Sequence, residues 1–196
     1  MDDCVASTID TYESAAEQYR TRNADRSVVE EFVDQFISAL AGNRVLDIGC
    51  GPGWESTAFS EHGFDTVGID LTPAFLQMIQ DTAPSVSVAR MDMRRLGFAD
   101  ESMDGLWACA SFLHVPRSDA QSTLREFQRV LRSDGTLALA VKQGEGEQTG
   151  SVYESDERQF VFYTLDDLNE RLRNAGFTVD DSSVTTDGWL QFIAKA

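Results

Sequence analysis

Residues 45–53 read Val45-Leu46-Asp47-Ile48-Gly49-Cys50-Gly51-Pro52-Gly53, a short apolar run followed by three glycines at alternate positions. Such a run suits a buried strand. The glycines let the backbone turn tightly after it and let another group approach the main chain closely. Further short apolar runs occur at Thr66–Ile69, Val86–Ala89, Gly105–Ala108 and Thr136–Val141. Helix-like segments near 54–62, 73–82 and 118–132 separate them. Pro73 suits a first helical turn, and Ser118 with Asp119 suits an N-cap. Strands alternating with helices predict βαβ units and a parallel sheet, with ligand sites at the strand C-termini.

The two ends of the chain read differently. Residues 6–20 predict a polar helix carrying Tyr12 and Tyr19 on one face, and Val28 to Leu40 repeat at helical spacing until Gly42 stops them. After a helix from Leu165 to Asn174, extended segments at 177–186 and 189–194 meet around Asp187-Gly188, a strong hairpin signal. Residues 143–158, glycine-rich and acidic, predict a mobile loop.

The glycine spacing is informative in what it excludes. A dinucleotide fingerprint is G-x-G-x-x-G, but the sixth position from Gly49 is Trp54, and no Lys-Ser/Thr follows to make a phosphate loop. Alone, the triplet fits a structural strand-to-helix turn as well as a ligand site. The following strands add context. Asp70 ends the second, placed to accept both hydroxyls of a ribose, and Asp92 ends the third with Met93 beside it, placed to accept from an exocyclic amine while Met93 meets a base.

With these residues in series the chain resembles the class I S-adenosylmethionine-dependent methyltransferases, of the small-molecule type, from about Tyr12 to the final hairpin. The resemblance implies an α/β, Rossmann-like doubly wound sheet of seven strands, mostly parallel with a C-terminal antiparallel hairpin, in the order 3-2-1-4-5-7-6. It also implies S-adenosyl-L-methionine as cofactor. Asp47, Gly49, Cys50, Gly51 and Gly53 match the segment that binds the methionine portion. Asp70 with Leu71 matches the ribose position, Asp92 with Met93 the adenine position, and Cys109 a position lining the cofactor. Tyr12 and Tyr19 match an N-terminal lid helix, and Leu131 to Gly135 match the turn before the fifth strand. The implied organisation is one domain: a helical lid over 1–42, a cofactor-binding core over 43–142, a connection over 143–163, and a final helix and hairpin over 164–196.

The implied reaction is direct displacement of an activated methyl group by a small organic acceptor, entering between the lid and the 143–163 segment, where Phe160, Phe162 and Tyr163 offer an apolar wall, although their alternation equally fits a short core strand. His114, just past the fourth strand, is the candidate general base or substrate partner; the bland reading is a histidine that orders the loop before Pro116. His62 stands at a helix end, where a cation complements the dipole. Cys50 and Cys109 have no basic sequence neighbour to activate them, and Trp54 begins the helix beside the glycine loop. The Asn/Asp-Pro-Pro-Tyr motif of enzymes that methylate base or glutamine amides is missing, with Ala110-Ser111-Phe112-Leu113 in its place.

Charge bears on the partner. Against 33 acidic residues stand 16 basic ones, a net −17, which argues against nucleic acid or an anionic membrane surface as partner. Only Lys142 and Lys195 among the basic residues are lysines, a profile similar to that of proteins from salt-loving archaea, so the acidity also describes a halophilic surface. No apolar stretch of membrane-spanning length occurs, the start is acidic, and three scattered cysteines support neither a disulfide framework nor a metal site; a cytoplasmic protein is expected. Monomer and dimer remain equally open. Besides a small-molecule methyltransferase, three readings compete: a non-catalytic S-adenosylmethionine-binding regulator, a methyltransferase of a protein partner, and a nicotinamide dehydrogenase, which Trp54 disfavours.

Overall fold

The computed structural model describes residues 3–196. A polar helix, α1 (Asp3–Arg22), leads through a 3₁₀ turn at Ser27–Val29 into α2 (Glu30–Ala39). The core then alternates as β1 (Arg44–Ile48), α3 (Trp54–Glu61), β2 (Asp65–Asp70), α4 (Pro73–Thr82), β3 (Ser87–Arg90), β4 (Met103–Cys109), α5 (Ala120–Val130) and β5 (Leu131–Lys142). A short two-stranded ribbon follows, β6 (Glu147–Thr149) against β7 (Gln159–Val161), and then α6 (Leu165–Asn174), β8 (Thr178–Val184) and β9 (Trp189–Lys195).

The main sheet has seven strands in the order β3-β2-β1-β4-β5-β9-β8. Pairings from β3 through β5 are parallel, and β9 runs antiparallel to both β5 and β8. Apart from the extra ribbon, this is the order expected from the sequence. Strand β6 lies inside the 143–158 segment read as a loop and β7 directly follows it; the strands are three residues each and carry no long apolar run to announce them.

Alternation along the strands sorts the core into two faces. Leu46, Ile48, Leu106, Leu137 and Leu139 join Phe112, Phe127, Tyr163, Leu168 and Phe192 in one apolar layer under α5 and α6. Val45, Trp107, Ala138 and Ala140 face the other way, onto Phe32 and Phe36 of α2 and Phe59 of α3. Trp107 packs on Phe36 at 5.4 Å and on Phe32 at 4.9 Å between ring centroids, so it is a core aromatic.

Two local expectations are revised. Helix α5 stops at Val130, not 132, because Leu131 already pairs with Met103; the turn read over Leu131–Gly135 is absorbed as an irregularity in β5, with Asp134 at φ 65°. Asp119 does occupy the N-cap of α5, but its side chain makes no capping bond and takes Arg94 instead. Pro73 opens α4 as expected, and His62 ends α3 with its Nδ1 2.8 Å from the Ala58 carbonyl. Among the described residues no helix is long and apolar enough to cross a membrane.

Candidate active site

Because β1, β2, β3 and β4 are parallel neighbours, their C-terminal ends open onto one edge of the sheet. A cavity of about 780 Å³, counted out to its mouth, lies there. The floor is Gly49 and Gly51 after β1, Asp70, Leu71 and Thr72 after β2, Met91 to Arg94 after β3, and Ala110, Ser111 and His114 after β4. Helix α1 supplies the roof through Val5, Thr8, Ile9, Tyr12 and Tyr19.

The glycine loop is shaped by its conformation. Gly49, Gly51 and Gly53 all have positive φ, at 69°, 52° and 87°. A methyl on Gly49 would stand 2.3 Å from the Ser111 Cβ, and one on Gly53 2.4 Å from Ile79, so both are excluded by packing. At Gly51 the nearest atom to such a methyl is a Tyr19 ring carbon at 3.9 Å, so here the loop presents bare backbone toward the cavity. Gly49 and Cys50 both donate their amides to the Ile69 carbonyl, which fastens the loop to the end of β2.

Asp70 is held by backbone. Its carboxylate accepts from the Gly51 amide at 3.0 Å and the Thr72 amide at 2.8 Å. Burial nonetheless leaves its acidity weakened, with the carboxyl raised above the ordinary range. Asp92 is different. Arg94 approaches it through Nε at 3.1 Å to both oxygens and reaches on to Asp119 at 2.8 Å. Burial pushes the Asp92 carboxyl up, and the bonds and charge of Arg94 outweigh this and hold it below the usual value.

Four of the residues expected to touch a cofactor, Asp47, Cys50, Gly53 and Cys109, are not in the lining of this cavity. Asp47 shares the face of Val45, and half-buried Cys109 that of Trp107, the face that packs on α2 and α3, and neither lines the cavity. Asp47 accepts from Ser56 Oγ at 2.5 Å, and burial, with the Glu55 charge nearby, pushes its carboxyl up to about 8. Cys109 is raised to about 12 by burial, which removes thiolate chemistry at neutral pH. Cys50 packs with Leu76, Ile79, Ala83 and Val86, and Gly53 serves as the N-cap of α3. Beside Asp47, Glu55 pairs with Arg26 at 2.8 Å, and Arg26 lies 4.8 Å over the Trp54 ring. The eight others, Tyr12, Tyr19, Gly49, Gly51, Asp70, Leu71, Asp92 and Met93, line the cavity, as does His114.

His114 does line the opening, but not as a free base. Its Nδ1 lies 2.6 Å from the Gln159 carbonyl, which can only accept, so Nδ1 carries the proton and Nε2 the lone pair. Tyr12 donates to that Nε2 at 2.9 Å. Burial pushes the imidazole down to about 4, against the partial support of the Gln159 bond. The expected general base thus has both ring nitrogens engaged. Its phenolic partner, Tyr12, is raised by burial to about 12.

Ser111 was not singled out by its sequence. Its Oγ is buried without a hydrogen-bond partner, and the residue lines the cavity against Gly49. Arg158 was missed as well; it donates to the Tyr12 hydroxyl at 3.3 Å. Neither belongs to a motif. Ser111 is an ordinary loop serine, and Arg158 meets Tyr12 across 146 positions.

Comparison with known proteins now bears on the same residues. Positions 46–139, spanning the glycine loop to β5, match the family described as a methyltransferase domain. Over these positions the chain carries a methyltransferase domain. The chain is 35% identical over 121 residues to the methyltransferase GfsG of Streptomyces halstedii, covering 57% of this chain and 43% of that protein. It is 28% identical over 199 residues to the 27-O-demethylrifamycin SV methyltransferase of Amycolatopsis mediterranei, covering 93% of this chain and 70% of that one. The chain spans about half the length of the curated relatives it matches, 43%, 56% and 41% for three of them. Among solved structures, the 1,6-didemethyltoxoflavin-N1-methyltransferase of Burkholderia thailandensis, with its substrate and S-adenosylhomocysteine bound, superposes with a TM-score of 0.79. It is 22% identical and covers 97% of this chain and 87% of its own, a likeness of fold.

Proposed function

We propose that this chain transfers a methyl group from S-adenosyl-L-methionine to a small organic acceptor. The observation that carries the reading is the Asp70 carboxylate at the β2 tip, in the cavity wall beside the open backbone of Gly51. The residues fit the cofactor's chemistry. Asp70 offers acceptor oxygens to a diol, Leu71, Met91 and Met93 offer apolar contact to a flat base, and Asp92 supplies an acceptor at the β3 end. Gly49 and Gly51 give the remaining part of the molecule room against the main chain, under Tyr12 and Tyr19.

When bound, the cofactor supplies a methyl group already activated by a sulfonium. The protein's share is then alignment and exclusion of water. Holding two reactants in register can account for roughly 7–11 kcal/mol of barrier lowering in favourable cases. The roof of α1 shuts water out, and Tyr12, Tyr19 and Phe75, with centroids 5.3–5.7 Å apart, form its apolar lining over the loop. With His114 neutral and engaged by Tyr12, the resting site offers no strong base. It suits an acceptor whose nucleophilic atom needs no proton removed by the protein before it attacks.

The same reading holds residues 1–42 as the lid, 43–142 as the cofactor core, 143–163 as the connection and 164–196 as the closing helix and hairpin. It also takes the partner to be a small molecule rather than nucleic acid, in a cytoplasmic setting. Two measurements test it. Calorimetric titration at high salt with S-adenosylmethionine, S-adenosylhomocysteine and NAD should show binding of the first two only. Asp70→Ala should weaken S-adenosylhomocysteine by tenfold or more, since charge-assisted hydrogen bonds contribute about 1.5–3 kcal/mol each. Binding of NAD alone, or an unchanged affinity in the variant, would refute the assignment. Labelled methyl transfer into a metabolite extract then separates an enzyme from a cofactor-binding regulator.

A further inference from the structure

Helix α1 roofs the cavity, and much of what holds it there is a row of polar contacts to residues 156–159. Thr8, Thr11 and Tyr12 share one helical face by their i, i+3, i+4 spacing. Thr8 Oγ1 donates to the Cys4 carbonyl at 2.9 Å and Thr11 Oγ1 to that of Ser7 at 3.0 Å, which turns their lone pairs outward. Those oxygens accept from the backbone amides of Gln159, at 3.0 Å, and Glu157, at 3.2 Å. One turn on, Tyr12 donates to His114, whose other nitrogen holds the Gln159 carbonyl. The strap that α1 meets is therefore the same strap that orients His114.

Arg158 stands at the centre of this seam. Its guanidinium is fixed to Asp156 as a fork, Nε to Oδ1 at 2.8 Å and one terminal nitrogen to Oδ2 at 2.7 Å, with side chains only 6% and 1% exposed. It lies 4.4 Å from the Tyr153 ring centroid, 5.0 Å from that of Tyr12 and 5.1 Å from that of Phe160. Its remaining terminal nitrogen donates to the Tyr12 hydroxyl. A buried ion pair is expensive to form and gains little stability over an apolar pair of similar volume. What this one supplies is direction: with Arg158 donating to its oxygen, the Tyr12 proton is left to His114.

We propose that Arg158 is a positioning residue that fixes Tyr12 and so locks α1 to the 156–159 strap, making the parting of this seam the step that admits and releases the cofactor. The proposal rests on the cavity being the S-adenosylmethionine site, and it adds a device outside the matched 46–139 segment. Entry to the roofed cavity and orientation of His114 then become a single event, since the same strap serves both.

The test is release of S-adenosylhomocysteine, followed by rapid displacement, together with amide hydrogen exchange of the full chain without ligand. The variants are Tyr12→Phe, which keeps the ring and removes the hydroxyl, and the double variant Asp156→Asn with Arg158→Met, which removes both buried charges together. Arg158→Lys serves as conservative rescue. The expected result is release at least tenfold faster in the first two and an intermediate rate with lysine. Exchange should quicken in 3–22 and 156–159, with β1, β4 and β5 protected as in the parent. Unchanged release and unchanged exchange of α1 in folded variants would overturn the proposal. So would exchange that quickens equally across the whole sheet, which would mark a general stabilising role. If the parent chain fails to bind S-adenosylhomocysteine, the functional reading falls, and the exchange measurement still decides whether Arg158 governs the seam.

Discussion

Replacing Asp47 by Asn should flatten the dependence of stability on pH between about 4 and 8. The carboxyl is 2% exposed and its acidity is displaced from 3.8 to about 8, first by burial and then by the charge of Glu55. A carboxyl that holds its proton more tightly when folded stabilises the fold fully below the unfolded value. That contribution is lost as pH rises, until the folded value is reached. Each pH unit in that window is worth about 1.4 kcal/mol for one proton, so at pH 7 the parent has lost about 4 kcal/mol relative to pH 4 through this group. This is an upper bound, because the ionised carboxylate keeps its bond from Ser56. Asn retains an oxygen for that bond and has no proton to lose. Urea unfolding at constant high salt, from pH 4 to pH 8 and without ligand, should show the two proteins converging at the acid end and the variant more stable at pH 7 by about 1–4 kcal/mol. Parallel curves across the range would mean that Asp47 ionises normally in the folded chain, and the account of its burial would be wrong.

Other outcomes follow from the same geometry. Gly49→Ala forces a side chain into positive φ and against Ser111 at 2.3 Å; a loss of about 2–4 kcal/mol in unfolding free energy is expected, together with weakened cofactor binding by calorimetry. The parent's transferase activity should show no acidic limb near pH 6.5, and His114→Asn should leave that profile unchanged in shape, because the imidazole is displaced to about 4 and stays neutral above pH 5. A parent profile with a limb near 6.5 that vanishes in the variant would instead restore His114 as a general base.

The order of elements was legible from local signals. Apolar runs broken by turn residues mark the five core strands, Asp187-Gly188 marks the hairpin, and both depend only on neighbours in the chain. Of the ribbon, β7 left only the alternation of Phe160, Phe162 and Tyr163 as a trace, and β6 was not legible, since three exposed residues carry no period to detect. The list of site residues divides along a similar line. Asp70 and Gly51 end or follow strands, where the backbone itself faces the opening. Asp47 and Cys109 sit one residue from an orientation that would face it, and in a strand one residue is the difference between two faces.

What the sequence determined by itself is therefore the framework: a parallel sheet with a glycine turn after its first strand and acids at the ends of the next two. That much follows from hydrophobic period and turn chemistry, which are local. The tertiary structure alone decided which acids line the cavity and which is buried apart from it. It also decided that His114 is held between Tyr12 and Gln159, and that Arg158 meets a tyrosine 146 residues away. These are facts of side-chain direction and long-range packing, and they exist only once helix α1 and the 156–159 strap have been brought onto the same edge of the sheet.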